Sequence, residues 1–183
     1  MVKWIIVAIL AVVIAIISRA SLLKLRSHGF WRFFAWEFIL FLIAFNLGAW
    51  FVDPWSWHQM IAWLLLFSAL VPLFFGVRTL ITRGKPTSIR DGEPQLLAFE
   101  KTTKLVTTGI YHYIRHPLYS SLLLLTWGAF FKLPSLLAGG LAIASSICLY
   151  LTAIADEKEC IRYFGDDYHD YIKVTKRFIP FIF

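Results

Sequence analysis

Residues 104–119 read KLVTTGIYHYIRHPLY and lie where a polar stretch meets an apolar one. Three tyrosines, two histidines, one arginine and one proline occur between residues 109 and 119: Tyr111, Tyr113, Tyr119, His112, His116, Arg115 and Pro117. A proline is well placed to begin a helix. Crossing a membrane requires apolar residues and does not require this density of polar aromatic and basic groups. We therefore predict that this stretch is the reactive centre and that the rest of the chain holds it at a membrane surface.

The composition predicts a membrane protein. Of the 183 residues, 59% are hydrophobic, and the mean hydropathy is +0.70, which is too apolar for a soluble domain of this size. A helix crosses the bilayer core with about 20 apolar residues. Five segments approach that length: 2–17, 33–52, 57–77, 118–131 and 136–155. We predict an all-α integral membrane protein with about five transmembrane helices and a C-terminal cytoplasmic helical tail.

Two of these segments need a further interpretation. The segment 118–131 is short, so we expect it either to run back through residues 110–116 or to pair with the next segment as a hairpin across residues 132–135. The segment 2–17 lacks a following small-residue cleavage pattern, so we expect a membrane span and not a cleaved signal peptide.

The net charge of +7 follows the membrane topology and does not predict a nucleic-acid partner. Basic residues concentrate in alternate loops, which the positive-inside rule assigns to the cytoplasm. We expect the N-terminus outside and the reactive centre and C-terminus in the cytoplasm. The basic residues of the two loops are Arg19, Lys24, Arg26 and Arg32 in the first, and Arg78, Arg83, Lys85, Arg90, Lys101, Lys104 and Arg115 in the second.

The change in composition after residue 77 divides the chain. Residues 1–77 are predicted to form a three-span membrane scaffold and residues 78–183 the catalytic region. The polar residues 78–103 come directly before the reactive centre, and we expect them to form a lid or an entrance loop for a cofactor. Beyond residue 155 the last helix is expected to continue to Gly165 as its C-cap. A second short helix should follow from Asp166, with Tyr168 and Tyr171 on one face.

Two kinds of ligand site find little support. His112 and His116 are four residues apart but have no third ligand nearby, so no metal site is predicted. Gly139-Gly140 falls inside a span and no strand–GxGxxG–helix unit occurs, which excludes a Rossmann-type cofactor domain. The two cysteines, Cys148 and Cys160, do not indicate a disulfide framework.

The polar groups of the reactive centre and of the tail suit a zwitterionic ligand the size of a nucleoside. Lys104, Arg115 and Arg177 can hold a carboxylate or a phosphate. Asp156 and Glu157 can accept hydrogen bonds from ribose hydroxyls, and the tyrosine rings can stack on a base or attract a sulfonium cation.

The ordered motifs LVTTGIYHYIRHPLY (105–119) and DEKECIRYFGDDYHDYIKVTKRFIP (156–180) resemble the isoprenylcysteine carboxyl methyltransferase and phospholipid methyltransferase family of integral membrane enzymes. The resemblance covers roughly residues 83–183. It implies S-adenosyl-L-methionine as the cofactor, in a pocket that faces the cytoplasm and opens sideways to lipid. The cofactor-binding residues that it implies are Lys104, Leu105, Val106, Tyr111, His116, Pro117, Leu118, Tyr119 and Asp156.

For catalysis we expect Arg115 and Arg177 to orient the acceptor or the carboxylate of the cofactor. An acid, Glu157 or Asp156, or a tyrosine would accept a proton if the acceptor arrives protonated. Many members carry a Glu-Glu pair where this chain has Asp156-Glu157, so the motif leaves open which of the two acids contacts the cofactor. The isoprenylcysteine branch tends to have an arginine where this chain has Thr152, which disfavours a prenylcysteine carboxylate. A lipophilic or small acceptor carrying an amine or a thiol is favoured, and O-, N- and S-methylation all stay open.

Two other functions compete with this interpretation. Sterol and steroid reductases share a similar C-terminal arrangement and use NADPH, but this chain is short and lacks an extra basic cluster for phosphate. A non-enzymatic membrane scaffold would explain each motif separately but not their order. Cofactor binding distinguishes the three.

Overall fold

The computed structural model describes residues 1–85, 100 and 102–182, and in these ranges the regular structure is helical. Two short 3-10 helices, Leu47–Ala49 and Gly109–His112, accompany the α-helices. The α-helices are α1 (Val2–Ile17), α2 (Arg19–Leu22), α3 (His28–Asn46), α4 (Trp57–Arg83), α5 (Pro117–Lys132), α6 (Leu136–Phe164) and α7 (Asp166–Val174).

Three stretches are long and apolar enough to cross a membrane: His28–Ala49, Trp57–Arg83 and Leu136–Phe164. Helix α1 is also apolar but is shorter than these three stretches. Several predicted bounds were wrong, because α3 begins at His28 and not at 33, and α4 continues to Arg83 and not to 77. The all-helical class is confirmed for the described residues. The count of five spans, the division at residue 77 and the cytoplasmic side of the tail stay predictions.

The predicted loop 78–103 was also wrong at its start, since residues 78–83 are the last turns of α4. The greater part of that loop, including Arg90 and Lys101, lies outside the described residues. Of the two alternatives for the short fourth segment, the hairpin is the one observed: α5 begins at Pro117 and is joined to α6 by residues 133–135. The predicted end of α6 at Gly165 and the predicted start of α7 at Asp166 are confirmed, and Gly165 has a φ of 62° between them.

The helices pack in two main pairs, α3 against α6 and α4 against α5. Small residues at the contacts let the backbones come close, as is usual where lipid replaces water and van der Waals packing must hold helices together. At Gly128 of α5 an added Cβ would lie 2.8 Å from the Leu66 side chain of α4. The fully buried residues at these contacts include Ala35, Leu42, Ala129, Ala138, Ala142 and Leu149.

A buried lysine closes the end of the bundle that lies away from residues 104–119. Lys132, the last residue of α5, is fully buried. Its ammonium donates hydrogen bonds to Gln59 Oε1 at 2.9 Å and to the carbonyl of Trp50 at 3.3 Å. It also lies 3.3 Å from the centre of the Trp63 ring. The cation therefore joins the end of α5 to the start of α4 and to the turn after α3.

Replacing Lys132 by methionine keeps the apolar stem and removes the charge and both donors. We expect a loss of stability of about 2–4 kcal/mol, because Gln59 Oε1 and the Trp50 carbonyl would be left buried without this partner. Thermal unfolding of the purified protein in detergent measures the effect. Lys173→Met, at an exposed surface pair, is the matched control, and equal melting temperatures for the two variants would contradict the assignment.

Candidate functional site

The C-terminal segment is tied to the polar stretch 113–116 by backbone pairing. Ile114 and Lys176 form an isolated parallel bridge. The amides of Arg115 and His116 donate to the carbonyls of Lys176 and Arg177 at 2.8 and 3.1 Å. Ser120 Oγ on the first turn of α5 donates to the carbonyl of Phe178 at 2.9 Å. This pairing brings Arg177 beside Arg115 although 62 residues separate them in the chain.

Glu157 of α6 accepts hydrogen bonds from three basic side chains. Arg177 binds it with two nitrogens, Nε at 3.0 Å and Nη2 at 2.7 Å. Arg115 Nε lies 2.9 Å and His116 Nε2 lies 3.3 Å from Glu157 Oε1. The Arg115 guanidinium also donates to the carbonyl of Thr175. One carboxylate thus fixes α6, the residues before α5 and the C-terminal segment to each other.

Asp156, the neighbouring acid, lies on another face of α6. Its Oδ2 atom is 3.4 Å from His116 Nδ1 and accepts a hydrogen bond from the Tyr119 hydroxyl at 3.2 Å. The His116 and Tyr119 rings stack with their centres 5.3 Å apart. The His116 imidazole therefore bridges the two acids, with Nδ1 towards Asp156 and Nε2 towards Glu157.

A small cavity of about 100 Å³ opens beside Asp156. Its walls come from the end of α4, the polar stretch before α5, the last turns of α6 and the inner face of α7. The lining residues are Leu80, Glu100, Thr102, Leu105, Val106, Tyr111, Arg115, His116, Pro117, Leu118, Tyr119, Asp156, Cys160, Phe164, Tyr168 and Tyr171.

Most of the residues that the resemblance implies for the cofactor line this cavity: Leu105, Val106, Tyr111, His116, Pro117, Leu118, Tyr119 and Asp156. Lys104 is exposed and does not line it. Of the expected catalytic residues, Arg115 lines the cavity, whereas Glu157 and Arg177 lie behind it in the ion-pair cluster. The geometry thus separates the acids that the motif left equivalent, with Asp156 at the cavity and Glu157 in the framework.

Seven lining residues were not among the predicted site residues: Leu80, Glu100, Thr102, Cys160, Phe164, Tyr168 and Tyr171. Cys160 and Phe164 follow Asp156 at intervals of four on α6, so the helical period after Asp156 was a usable signal. Tyr168 and Tyr171 lie beyond Gly165 on α7, where their predicted common face was the signal. Glu100 and Thr102 carry no such signal, because they belong to a polar stretch without periodicity. Glu100 is fixed by Arg32 of α3, whose Nη1 lies 3.1 and 2.8 Å from its two carboxylate oxygens.

Burial determines how the tyrosines and His116 ionise. Desolvation raises the pKa of Tyr111, Tyr168 and Tyr171 well above the ordinary value, so all three stay neutral. The Tyr171 hydroxyl donates to the carbonyl of Tyr111 at 2.6 Å. Burial also lowers the pKa of His116, but its hydrogen bonds and charge interactions with Asp156 and Glu157 outweigh that effect, and the net pKa is raised.

The raised pKa of His116 predicts a pH dependence of stability. A group whose pKa is higher in the folded state stabilises fully below its unfolded value, here 6.5, and loses that contribution as the pH rises through the folded value. We expect the melting temperature of the wild type to exceed that of His116→Gln by more at about pH 6 than at about pH 9. Unfolding scans at both pH values test this. A difference that is constant or larger at the higher pH would contradict it.

Comparison with known proteins agrees with the motifs. The sequence model of the phospholipid methyltransferase family matches residues 91–176. No curated protein and no solved structure gives a match. The matched segment contains the whole of α5, α6 and α7 and the two acids. The resemblance that the motifs indicated is thus confirmed over residues 91–176, the part of the chain that matches the phospholipid methyltransferase family.

Proposed function

We propose that the protein is an S-adenosyl-L-methionine-dependent integral membrane methyltransferase. One observation carries the proposal: all of the described cavity-lining residues except Leu80 lie within the segment 91–176 that matches the family. The site and the family match are therefore the same part of the chain. The cytoplasmic side of the membrane is part of the proposal, because the positive-inside rule assigns these residues to it.

The chemistry of the cavity wall fits this cofactor. The aromatic rings of Tyr111, Tyr119, Phe164, Tyr168 and Tyr171 offer faces for an adenine ring and for a cation, a contact worth about 0.5–2 kcal/mol. The Asp156 carboxylate can accept hydrogen bonds from ribose hydroxyls. When bound, S-adenosylmethionine supplies an electrophilic methyl group on a sulfonium sulfur.

The size of the cavity sets a condition on binding. Its volume of about 100 Å³ is smaller than the roughly 300–1,000 Å³ of ordinary ligand pockets. Part of the wall must therefore move when a nucleoside-sized ligand enters. The wall includes Glu100 and Thr102, which belong to none of the α-helices.

The ion-pair cluster holds the site in place. Arg115 and Arg177 are bound to Glu157, so their role in the proposal is to fix α6 against the C-terminal segment and to orient the acceptor from there. Methyl transfer is a displacement in line with the leaving sulfur, so orientation and exclusion of water should supply most of the rate. In its protonated form His116 has no lone pair, and a protonated acceptor would have to give its proton to a carboxylate.

The proposed acceptor is a lipophilic or small molecule with an amine or a thiol, reached from the surrounding membrane lipids. Thr152 lies where the isoprenylcysteine branch carries an arginine. In the structure it is fully buried and donates to the carbonyl of Cys148 at 2.7 Å. It offers no charge to a carboxylate acceptor.

The NADPH-dependent reductase is the second candidate, and the cavity favours it less. Phosphate groups call for arginine, lysine or free backbone amides. Among the described lining residues the only guanidinium is that of Arg115, which is already bound to Glu157, and there is no lysine.

Calorimetric titration of the detergent-purified protein tests the proposed function. We expect S-adenosylmethionine and S-adenosylhomocysteine to bind and NADPH not to bind. Asp156→Asn should weaken both adenosyl ligands by about tenfold or more, as expected for a lost charge-assisted hydrogen bond. Asp167→Asn, on the exposed side of α7, is the matched control. Binding of NADPH alone would assign the protein to the reductases. Binding of none of the three ligands would leave the non-enzymatic membrane scaffold as the remaining interpretation.

Arg177→Ala should reduce turnover much more than folding. Glu157 keeps Arg115 and His116 as partners in this variant, so its carboxylate is not left unpaired, whereas the C-terminal segment loses its ion pair with α6. Methyl transfer from labelled cofactor and the melting temperature should be measured on the same preparation. Full turnover in Arg177→Ala would remove this arginine from the site.

A further inference from the structure

Arg32 of α3 is a basic residue that the motifs do not indicate and that reaches the cavity wall from another part of the chain. Its side chain is 6% exposed. The guanidinium lies 5.0 Å from the centre of the Trp36 ring and binds both carboxylate oxygens of Glu100. Because Glu100 lines the cavity, the guanidinium lies directly behind one residue of its wall.

The other basic residues near the cavity are committed to framework contacts. Arg115 and Arg177 share Glu157, and Arg115 is further bound to the carbonyls of Ile172 and Thr175. Lys104 is exposed and lies outside the lining. A ligand with an anionic group would therefore need to break the framework to use either arginine. By contrast, Arg32 pairs with a residue of the wall itself.

The position of α3 is fixed independently of Glu100. Four residues before Arg32, His28 is fully buried. Its amide donates to Glu159 Oε1 at 3.1 Å, and its Nδ1 pairs with Glu159 Oε2. Glu159 is three residues beyond Asp156 on α6. The first turns of α3 are thus held against the acidic end of α6, and Arg32 would keep its place if Glu100 moved away.

We infer that Arg32 binds the anionic oxygens of the cavity's ligand and that Glu100 is the counter-ion that occupies this cation in the ligand-free site. The inference rests on the proposed function, in which the anion is the α-carboxylate of the cofactor. Exchange of one carboxylate for another keeps the buried guanidinium paired, which avoids the high cost of an unpaired buried charge. It also moves Glu100 out of the wall and enlarges a cavity that is otherwise too small.

Two adenosyl ligands distinguish binding of the carboxylate by Arg32 from binding of the adenosyl group by the rest of the site. S-adenosylhomocysteine carries the α-carboxylate, and 5′-methylthioadenosine lacks the whole amino-acid group. We expect Arg32→Gln to weaken S-adenosylhomocysteine by about tenfold to a hundredfold, the range of a charge-assisted hydrogen-bonded pair, and to leave methylthioadenosine nearly unchanged. An unchanged ratio of the two dissociation constants would overturn the inference.

Glu100→Gln gives a second test that does not depend on the folding of an Arg32 variant. Removal of the competing charge should strengthen the binding of S-adenosylhomocysteine and leave the binding of methylthioadenosine unchanged. The ratio of their dissociation constants should therefore move in the direction opposite to that caused by Arg32→Gln. A phosphate on the acceptor is the other source of such an anion. Suppose that Arg32→Gln weakened the binding of inorganic phosphate and left the ratio of the two adenosyl dissociation constants unchanged. The assignment of Arg32 to the cofactor would then be wrong. Failure of the wild type to bind either adenosyl ligand would instead refute the proposed function.

Discussion

The site depends on one buried carboxylate. Glu157 is bound by Arg115, Arg177 and His116, which belong to two parts of the chain far from α6 in sequence. A carboxylate of this kind is stable away from water only when several donors surround it. Its three partners therefore fix the separation between α6, the start of α5 and the C-terminal segment, and the cavity beside Asp156 lies where α5 and α6 are held together in this way.

A charged framework of this kind explains why the reactive residues lie at the end of the bundle. Two charges deep in the bilayer would be costly, whereas a cluster near a helix end is partly relieved by nearby polar backbone and water. The opposite end of the bundle uses a different device, the cation of Lys132 between Trp63, Gln59 and the Trp50 carbonyl. The apolar helices between the two ends need only small residues at their contacts, which Ala35, Ala129 and Gly128 provide.

Sequence patterns predicted the parts of the structure that depend on local rules. Apolar length located the long helices, Pro117 marked the start of α5, and Gly165 marked the end of α6. The predicted helix ends were less accurate where no local signal marks them. Residues 28–32 and 78–83 are polar or mixed in composition, yet they belong to α3 and α4. Helix α3 packs on α6, and α4 packs on the residues before α5.

The site divides in the same way between local and tertiary features. Eight of the nine residues that the resemblance implies for the cofactor line the cavity, Lys104 being the exception, and their binding role stays a proposal. The sequence could not separate Asp156 from Glu157, because neighbouring residues on a helix diverge by about 100° and only tertiary packing decides which one faces the cavity. Arg32 and Glu100 were missed as a pair because their sequence separation is 68.

The central claim is that the cavity beside Asp156 holds the adenosyl cofactor, and the native thiol of Cys160 tests it in place. Cys160 lines the cavity, with Sγ 3.8 Å from Asp156 Oδ1. In a Cys148→Ser variant it is the remaining cysteine, and its rate of alkylation by a maleimide can be followed by mass spectrometry. The account predicts that saturating S-adenosylhomocysteine slows the alkylation and that NADPH does not. An unchanged rate with S-adenosylhomocysteine bound would contradict it.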